Sequence, residues 1–425
     1  MDLYSEFAWR GLVYDATEGL RDLMAREKLT TYIGFDPTAA SLHVGSLLPM
    51  VSLARLQRFG HPPIAVVGGG TGMIGDPSGN ATERALLTTE QVERNVEGIR
   101  GQLSRFLDFD DASTPARLVN NADWLSKLSA IEFMRDVGKY FTVNYMLAKE
   151  SVKRRSESDE GISYTEFSYL LLQSYDFLML HDRFNCTVQM GGSDQWGNIT
   201  AGVDFIRRLR GAKAHGLVSP LLTTGSGAKF GKTEAGAVWL DPQLTSPFRF
   251  YQFWLNTDDG DVGKYLRLFT FLDRAAIEQL EETARSAPEA RDAQRALARE
   301  VTRMVHGEEQ VSRAERASGV LFGEDISTLP AEDVLSVFDD VPSSTVAADK
   351  LAGDGVPVVE LLASSGLTAS KGEATRLIRG GGVYVNNRRI TDERARLRSG
   401  DAIEGRLFVL RKGAKQNHVV KIGAQ

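Results

Sequence analysis

Between Thr30 and about Leu222, short apolar runs alternate with longer amphipathic stretches, and this rhythm commits the region to a parallel α/β sheet. The runs 30–35, 64–67, 117–120 and 187–190 have strand length. Between them, Leu47, Leu48, Val51, Leu53, Ala54 and Leu56 recur on a helical period until Gly60 and Pro62-Pro63 stop it. A second helix starts at Thr88 and carries Val92, Val96, Ile99, Leu103 and Phe106. From about 123 to 173 the rhythm gives way to mainly helical sequence with a charged stretch, 149–160; it reads as an insertion of the kind that carries substrate contacts or a dimer surface.

A chain of 425 residues, 42% of them hydrophobic, can bury more than one core. The expected layout is an α/β domain over 1–222, a loop over 223–242, a helical domain over 243–322, a linker over 323–355 and a small α/β module over 356–425. The linker reading rests on acidic, small-residue composition short of aromatics. In the last module, Ser370 and Glu373 form a capping-box pattern, and Gly380-Gly381-Gly382 leads into Val383-Tyr384-Val385 and a turn at Asn386-Asn387. That module holds 13 Lys/Arg against 6 Asp/Glu, while the whole chain has a net charge of -6. A small basic module on an acidic body points to contact with a polyanion, with Lys371, Arg376, Arg379, Arg388 and Arg389 as the candidate residues.

The strand 30–35 passes to the helix at Leu47 through Asp36-Pro37-Thr38-Ala39-Ala40-Ser41-Leu42-His43-Val44-Gly45-Ser46. At such a junction, open backbone N–H groups and the positive end of the helix dipole attract phosphate, and Gly45 lets a ligand approach closely. Far downstream, Lys229-Phe230-Gly231-Lys232-Thr233 supplies two cations for the same phosphates. Together the two segments describe an ATP-phosphate site suited to adenylation. Separately, His43 would pass as an ordinary helix-terminal histidine and the lysines as a solvated basic turn.

Two glycine turns follow strands, 68–76 with Asp76 available to a cationic amine, and 191–196 with Asp194 and Gln195. The helix from Tyr164, opened by Ser163 and Glu166 in a capping-box pattern, is apolar nearly all round. Tyr169, Gln173 and Asp176 nevertheless share one face at i, i+4 and i+7. They are either a solvated stripe or a buried polar site that a ligand completes.

With these residues in view, the chain resembles the bacterial tyrosyl-tRNA synthetases, a class I aminoacyl-tRNA synthetase family, over essentially its whole length. Tyr32-Ile33-Gly34-Phe35-Asp36-Pro37-Thr38 resembles the family's first strand and loop, Leu42-His43-Val44-Gly45-Ser46 its H-I-G-H signature, the segment 191–198 its G-G-S-D-Q-W-G-N segment, and 229–233 its K-M-S-K-S loop. Residues from Val356 onward resemble an S4 RNA-binding module. The resemblance implies a Rossmann-like catalytic domain with an inserted helical segment, an all-α domain, an S4-like domain and a homodimer. It implies tyrosine activation by ATP with magnesium, then transfer to tRNA(Tyr), with no dedicated metal site. By position, Tyr32 and Asp176 would take the phenol, Tyr169, Gln173 and Asp76 the ammonium, and Gln195 the carboxyl region. Gly34, Asp36, Thr38, His43, Gly45, Ser46, Gly192, Asp194 and Lys232 would face ATP or the adenylate, with Thr38, His43, Lys229 and Lys232 aiding pyrophosphate departure.

The chain departs from the family pattern at Ser46, where a second histidine is usual, at Phe230-Gly231 and Thr233 in the lysine loop, and at Asn80, which leaves Arg84 as the nearest mobile cation. The rival readings are a tryptophanyl-type synthetase and a non-catalytic RNA-binding regulator. One cysteine, Cys186, and an opening sequence without a basic and apolar leader point to the cytoplasm.

Overall fold

The computed structural model describes residues 2–78, 87–156, 161–223, 230–233, 236–321, 326, 329–338, 341–413 and 416–423. Two compact units result, one of Met1–Leu244 with Thr257–Val305 and one of Thr245–Asn256 with His306–Gln425. The expected helical domain over 243–322 is therefore not a single body. Its helices Asp259–Phe269 and Arg274–Ser286 belong to the first unit, whereas Pro247–Leu255 and Glu308–Leu321 belong to the second.

The first unit is built on a six-stranded sheet of β1 (Asp15–Ala16), β2 (Thr30–Phe35), β3 (Pro63–Val67), β4 (Arg117–Asn120), β5 (Cys186–Gly192) and β6 (His215–Ser219), in the order β1-β6-β5-β2-β3-β4. All neighbours are parallel except β1, which pairs antiparallel with β6 at the edge. Strand order runs outward in opposite directions from β2 and β5, so a crevice opens beyond their carboxyl ends, where open α/β sheets bind ligands. β3 and β6 are buried along their full length, as a sheet covered on both faces requires. The segment between β4 and β5 is helical: Ala122–Leu125, Ala130–Glu132, Val143–Leu147 and Glu150–Ser156 precede the long helix Tyr164–Phe184. Ser163 caps that helix by accepting from Glu166 N, while the Glu166 carboxylate forms a buried ion pair with Arg155 at 2.9 Å.

Why Asp259–Phe269 stays with the sheet is visible at its C-terminus, where helix carbonyls lack intrahelical partners. Buried Arg10 donates to Arg267 O, Thr270 O and Leu272 O, and buried Arg55, from the helix Leu47–Arg58, donates to Thr270 O at 2.8 Å. Burial pulls the Arg55 guanidinium down to about 9.

In the second unit, the expected linker over 323–355 carries a helix, a strand and a 3-10 turn in its described part. Ala331–Val337 buries Ala331 and Val334 in a cluster with Ile403, Leu407, Val409 and Val419. Ser343–Ala347 then pairs in parallel with Gln416–Gly423 at the edge of a five-stranded sheet. In that strand only Val346 is buried, so the pairing rests on backbone groups, which composition does not reveal. Asn386 and Asn387 have φ of 48° and 62° and close a two-residue hairpin between Val383–Val385 and Arg388–Arg389.

The helix Thr89–Leu103 is where the sheet meets the loop after β2. Asn95 Nδ2 donates to Pro37 O, and the Gln102 amide accepts from Leu42 N and donates to Ser41 Oγ, each at 2.8 Å. A Cβ on Gly98 would stand 2.0 Å from Ala40 O, whereas one on Gly101 would meet nothing within 4 Å. Intrinsic propensity favours alanine over glycine in a helix by about 1 kcal/mol. Gly101→Ala is expected to raise the thermal midpoint slightly and Gly98→Ala to lower it. A rise for both in a denaturation scan would contradict this close approach.

Candidate functional site

A cavity of about 560 Å³ lies in the first unit beyond the ends of β2 and β5. Tyr32, Gly34, Asp36, His43, Gly45, Asp76, Tyr169, Gln173, Asp176, Gly192, Asp194 and Gln195 all line it, so nearly every candidate from the first unit converges. Thr38 and Ser46 do not line it; Thr38 is exposed and Ser46 N bonds back to His43 O. Lys229 lies outside the described residues, as do Asn80 and Arg84, and for Lys232 the backbone alone is described, paired with Ala237.

The two motif segments meet. Val44 N donates to Val238 O, Leu240 N to Leu42 O, and Val238 N to Gly231 O. Gly231 adopts φ 83°, and a Cβ there would come within 2.7 Å of Val44 Cγ2 and 3.3 Å of Gly45 N. Glycine is thus required on the lysine loop for it to lie against the signature loop. His43 Nδ1 accepts from Gly45 N at 3.0 Å, and its ring would be struck by any side chain at Gly45.

In the stripe on Tyr164–Phe184, Tyr169 and Asp176 are buried and Gln173 is half-buried, so it is not a solvated stripe, and Asp176 lies at the cavity floor. Asp176 is 4% exposed; its Oδ1 accepts from Trp124 Nε1 at 2.6 Å and its Oδ2 from Asn121 Nδ2 at 2.8 Å. Asn121 in turn donates to Thr71 Oγ1 and accepts from Gly70 N, tying the glycine turn after β3 to the end of β4. Burial raises the Asp176 carboxyl to about 7, against the opposing pull of those two donors. Tyr32 Oη is buried with no hydrogen-bond partner among the described residues, and burial, then Asp176, raises its phenol well above the ordinary value. Gln189 Oε1, beside Tyr32 in the sheet, is likewise buried and without a partner among them.

Nearer the mouth, Gln195 Nε2 donates to Asp76 Oδ2 at 2.7 Å and Gln173 Nε2 to Gln195 Oε1 at 3.2 Å. Ser78 N donates to Asp76 Oδ1, and burial, then Asp36, raises the Asp76 carboxyl to about 6. Tyr169 Oη makes a long 3.4 Å contact with Asp36 Oδ1. Sequence reasoning missed Asn121, Trp124, Gln189 and Asn198. Asn121 and Trp124 follow β4, and the strand-end rule used for Asp76 and Asp194 would have found them. Among the described residues, no three His, Cys, Asp or Glu side chains gather as a metal site.

The family described as "tRNA synthetases class I (W and Y)" matches residues 24–323, and "Tyrosine--tRNA ligase SYY-like C-terminal domain" matches 333–420. Tyrosine–tRNA ligase of Roseiflexus castenholzii is 57% identical over 99% of both chains, and that of Bacillus caldotenax is 52% identical over 99% of this chain and 100% of the relative. The chain belongs to the tyrosine–tRNA ligases, within the class I tRNA synthetases. Its fold also resembles a C-terminally truncated Aspergillus nidulans mitochondrial tyrosyl-tRNA synthetase, with a TM-score of 0.69 and 32% identity over 76% of this chain and 94% of that one. A Plasmodium falciparum tryptophanyl-tRNA synthetase shares the fold at a TM-score of 0.51 and 14% identity, covering 79% of this chain and 88% of that one.

In the second unit, the five basic candidates are exposed on the helix Lys371–Arg379 and the hairpin strand Arg388–Arg389. Lys371 pairs with Glu360 and Arg379 with Glu393, and Arg389 Nε donates to Gly381 O.

Asp176 and Asp76, at about 7 and about 6, bind protons more tightly folded than unfolded. The folded state therefore carries more protons between about pH 4 and 7, and stability falls as pH rises through that window, by at most about 1.4 kcal/mol per pH unit for each group. Asp176→Asn removes one of the two titrations. Its urea midpoint should decline less than the wild-type midpoint between pH 5 and 8. Parallel declines would show that Asp176 is ionised in the folded protein throughout.

Proposed function

We propose that the chain joins tyrosine to tRNA(Tyr) in two steps at this cavity. In the first, a tyrosine carboxylate oxygen attacks the α-phosphorus of ATP, the bond to the β-phosphate bridging oxygen breaks, and pyrophosphate leaves. In the second, a terminal ribose hydroxyl of the tRNA attacks the adenylate carbonyl and AMP departs. Neither step needs a side-chain nucleophile; rate comes from positioning and from stabilising charge as it moves.

One observation carries the amino-acid assignment: a Tyr32 hydroxyl without a partner among the described residues lines the same cavity as a buried Asp176 carboxylate. A phenol O–H completes both, donating to Asp176 and accepting from Tyr32. Phenylalanine would leave the Tyr32 hydroxyl unpaired and bring no third donor to Asp176, a loss of about 1–3 kcal/mol or more, and the tyrosyl enzyme is the standing example of discrimination on that basis. Asp76, Gln173 and Tyr169 hold the ammonium, Gln195 faces the carboxyl region, and Gly34, Asp36, Gly192 and Asp194 face the nucleotide. His43 and Gly45 take the phosphates with Lys229 and Lys232, and magnesium would arrive with ATP and supply further countercharge to its phosphates. The exposed arginines of the second unit contact tRNA phosphates in the cytoplasm of the cell.

Pyrophosphate exchange and tRNA charging test these roles together. Exchange should follow tyrosine and not tryptophan or phenylalanine. Lys232→Ala should cut the exchange rate by about 100-fold or more with tyrosine affinity little changed, as for a contact made in the transition state. Arg379→Glu with Arg388→Glu should keep exchange and lose charging. Exchange driven by tryptophan, or equal loss of rate and tyrosine affinity in Lys232→Ala, would overturn the respective roles.

The chain works as a homodimer in this reading. Support comes from the helical segment before Tyr164, where Ile131, Met134, Val143 and Leu147 are 72%, 55%, 60% and 42% exposed. Exposed large apolar side chains gathered in one segment mark an interaction surface. Sedimentation should give twice the chain mass for the wild type and a lower mass for Met134→Glu with Val143→Glu; a wild-type monomer would refute the dimer.

A further inference from the structure

Asn198 enters none of the roles above, yet it holds two of the side chains that do. It sits in the first turn of the helix Trp196–Arg210 and is 4% exposed. Its Nδ2 donates to Gln173 Oε1 at 2.9 Å and lies 3.3 Å from Gln195 Oε1 and 3.4 Å from Ser78 Oγ.

An amide can bond either way round, so a chain of amides has no direction until something at its end imposes one. Ionised Asp76 accepts and cannot donate. Gln195 must therefore turn Nε2 to Asp76, which leaves its Oε1 for Gln173 Nε2. Both glutamine carbonyls then face Asn198, which meets them with the two hydrogens of one nitrogen. Reversing Asn198 would set three carbonyl oxygens against one another.

This arrangement acquires a purpose when the substrate binds. The ammonium competes for Asp76, and Gln195 loses the partner that oriented it. Asn198 then becomes the group that keeps Gln195 Oε1 turned away and its N–H directed at the reacting carboxylate.

We propose that Asn198 is a positioning residue for amino-acid activation, fixing the amide polarity of Gln195 and Gln173 while substrate occupies Asp76. The proposal rests on the roles given above to Gln195 and Gln173. A carbonyl turned the wrong way would face the substrate carboxylate and repel it.

Tyrosine-dependent pyrophosphate exchange by the full chain tests it in a double-mutant cycle of Asn198→Ala and Gln195→Ala. Asn198→Ala should lower kcat/KM for tyrosine by about tenfold, leave KM for ATP nearly unchanged, and cost little more in the Gln195→Ala background. Asn198→Asp keeps the volume and shape of the side chain but replaces the donor by an acceptor. It should lose more than Asn198→Ala while unfolding at a similar temperature, and it carries the test if the alanine variant is unstable. Additive losses in the cycle, equal rises in KM for ATP and tyrosine, or an Asn198→Asp variant as active as the wild type would overturn the proposal. A Gln195→Ala variant with unaltered exchange would instead remove the role of Gln195 itself.

Discussion

A buried carboxylate held by two neutral donors organises the pocket. Asp176 has an indole N–H on one oxygen and an amide N–H on the other. Neither is a cation, so the cost of desolvation is met incompletely and the carboxyl is pushed up to about 7. Keeping even this compensation requires three separate elements to stay in register. The long helix presents Asp176, the end of β4 presents Asn121 and Trp124, and Asn121 reaches on to Gly70 and Thr71 after β3. Movement of any one would strand a buried polar group, so the floor of the cavity is rigid for the same reason that it is polar.

The end of the cavity proposed to take the phosphates is held by a different device. The loop after β2 is fixed by neutral contacts from behind: Asn95 to Pro37, Gln102 to Ser41 and Leu42, and the backbone of Gly98 against Ala40. From in front, the returning strand of the lysine loop bonds to Leu42 and Val44. Such a loop is held by the protein's own contacts, as catalysis by orientation would require of the phosphate site proposed above. Glycine at 45 and 231 sets how closely the two segments approach, because a side chain at either position would strike His43 or Val44.

How far all this could be read from sequence depends on which physical signal carries each part. β2 to β5 announced themselves by apolar strands between amphipathic helices. β1 has two residues and β6 reads His-Gly-Leu-Val-Ser, so neither shows a period long enough to recognise. Ser343–Ala347 was hidden for a related reason: its place depends on backbone pairing with Gln416–Gly423, and only Val346 is buried. The split of the helical region was hidden because arginines at 10 and 55, far away in sequence, secure Asp259–Phe269. For the site, local spacing gave Tyr169, Gln173 and Asp176 a common face but could not say whether it was buried. Asn198 belongs to a different category again, since its importance lies in hydrogen-bond direction, which spacing does not encode.

The polar network at the cavity mouth implies that ligand binding exchanges partners instead of merely filling space. Asp76 already accepts from Gln195 and from Ser78 N, and burial beside Asp36 holds its carboxyl near 6. In the proposed reading, an arriving ammonium brings a cation beside Asp76 and Asp36 and so favours ionised Asp76. In doing so it weakens the claim of Gln195 on the same oxygen and frees an N–H close to where the carboxylate must be held. Recognition of the amine and orientation of the acid are then consecutive consequences of one exchange. The floor, proposed to take the phenol, has no such slack: Tyr32 Oη has no partner among the described residues, and Asp176 is already fixed by Asn121 and Trp124. Selectivity is accordingly concentrated where the structure is stiff, and chemistry begins where its hydrogen bonds can be traded.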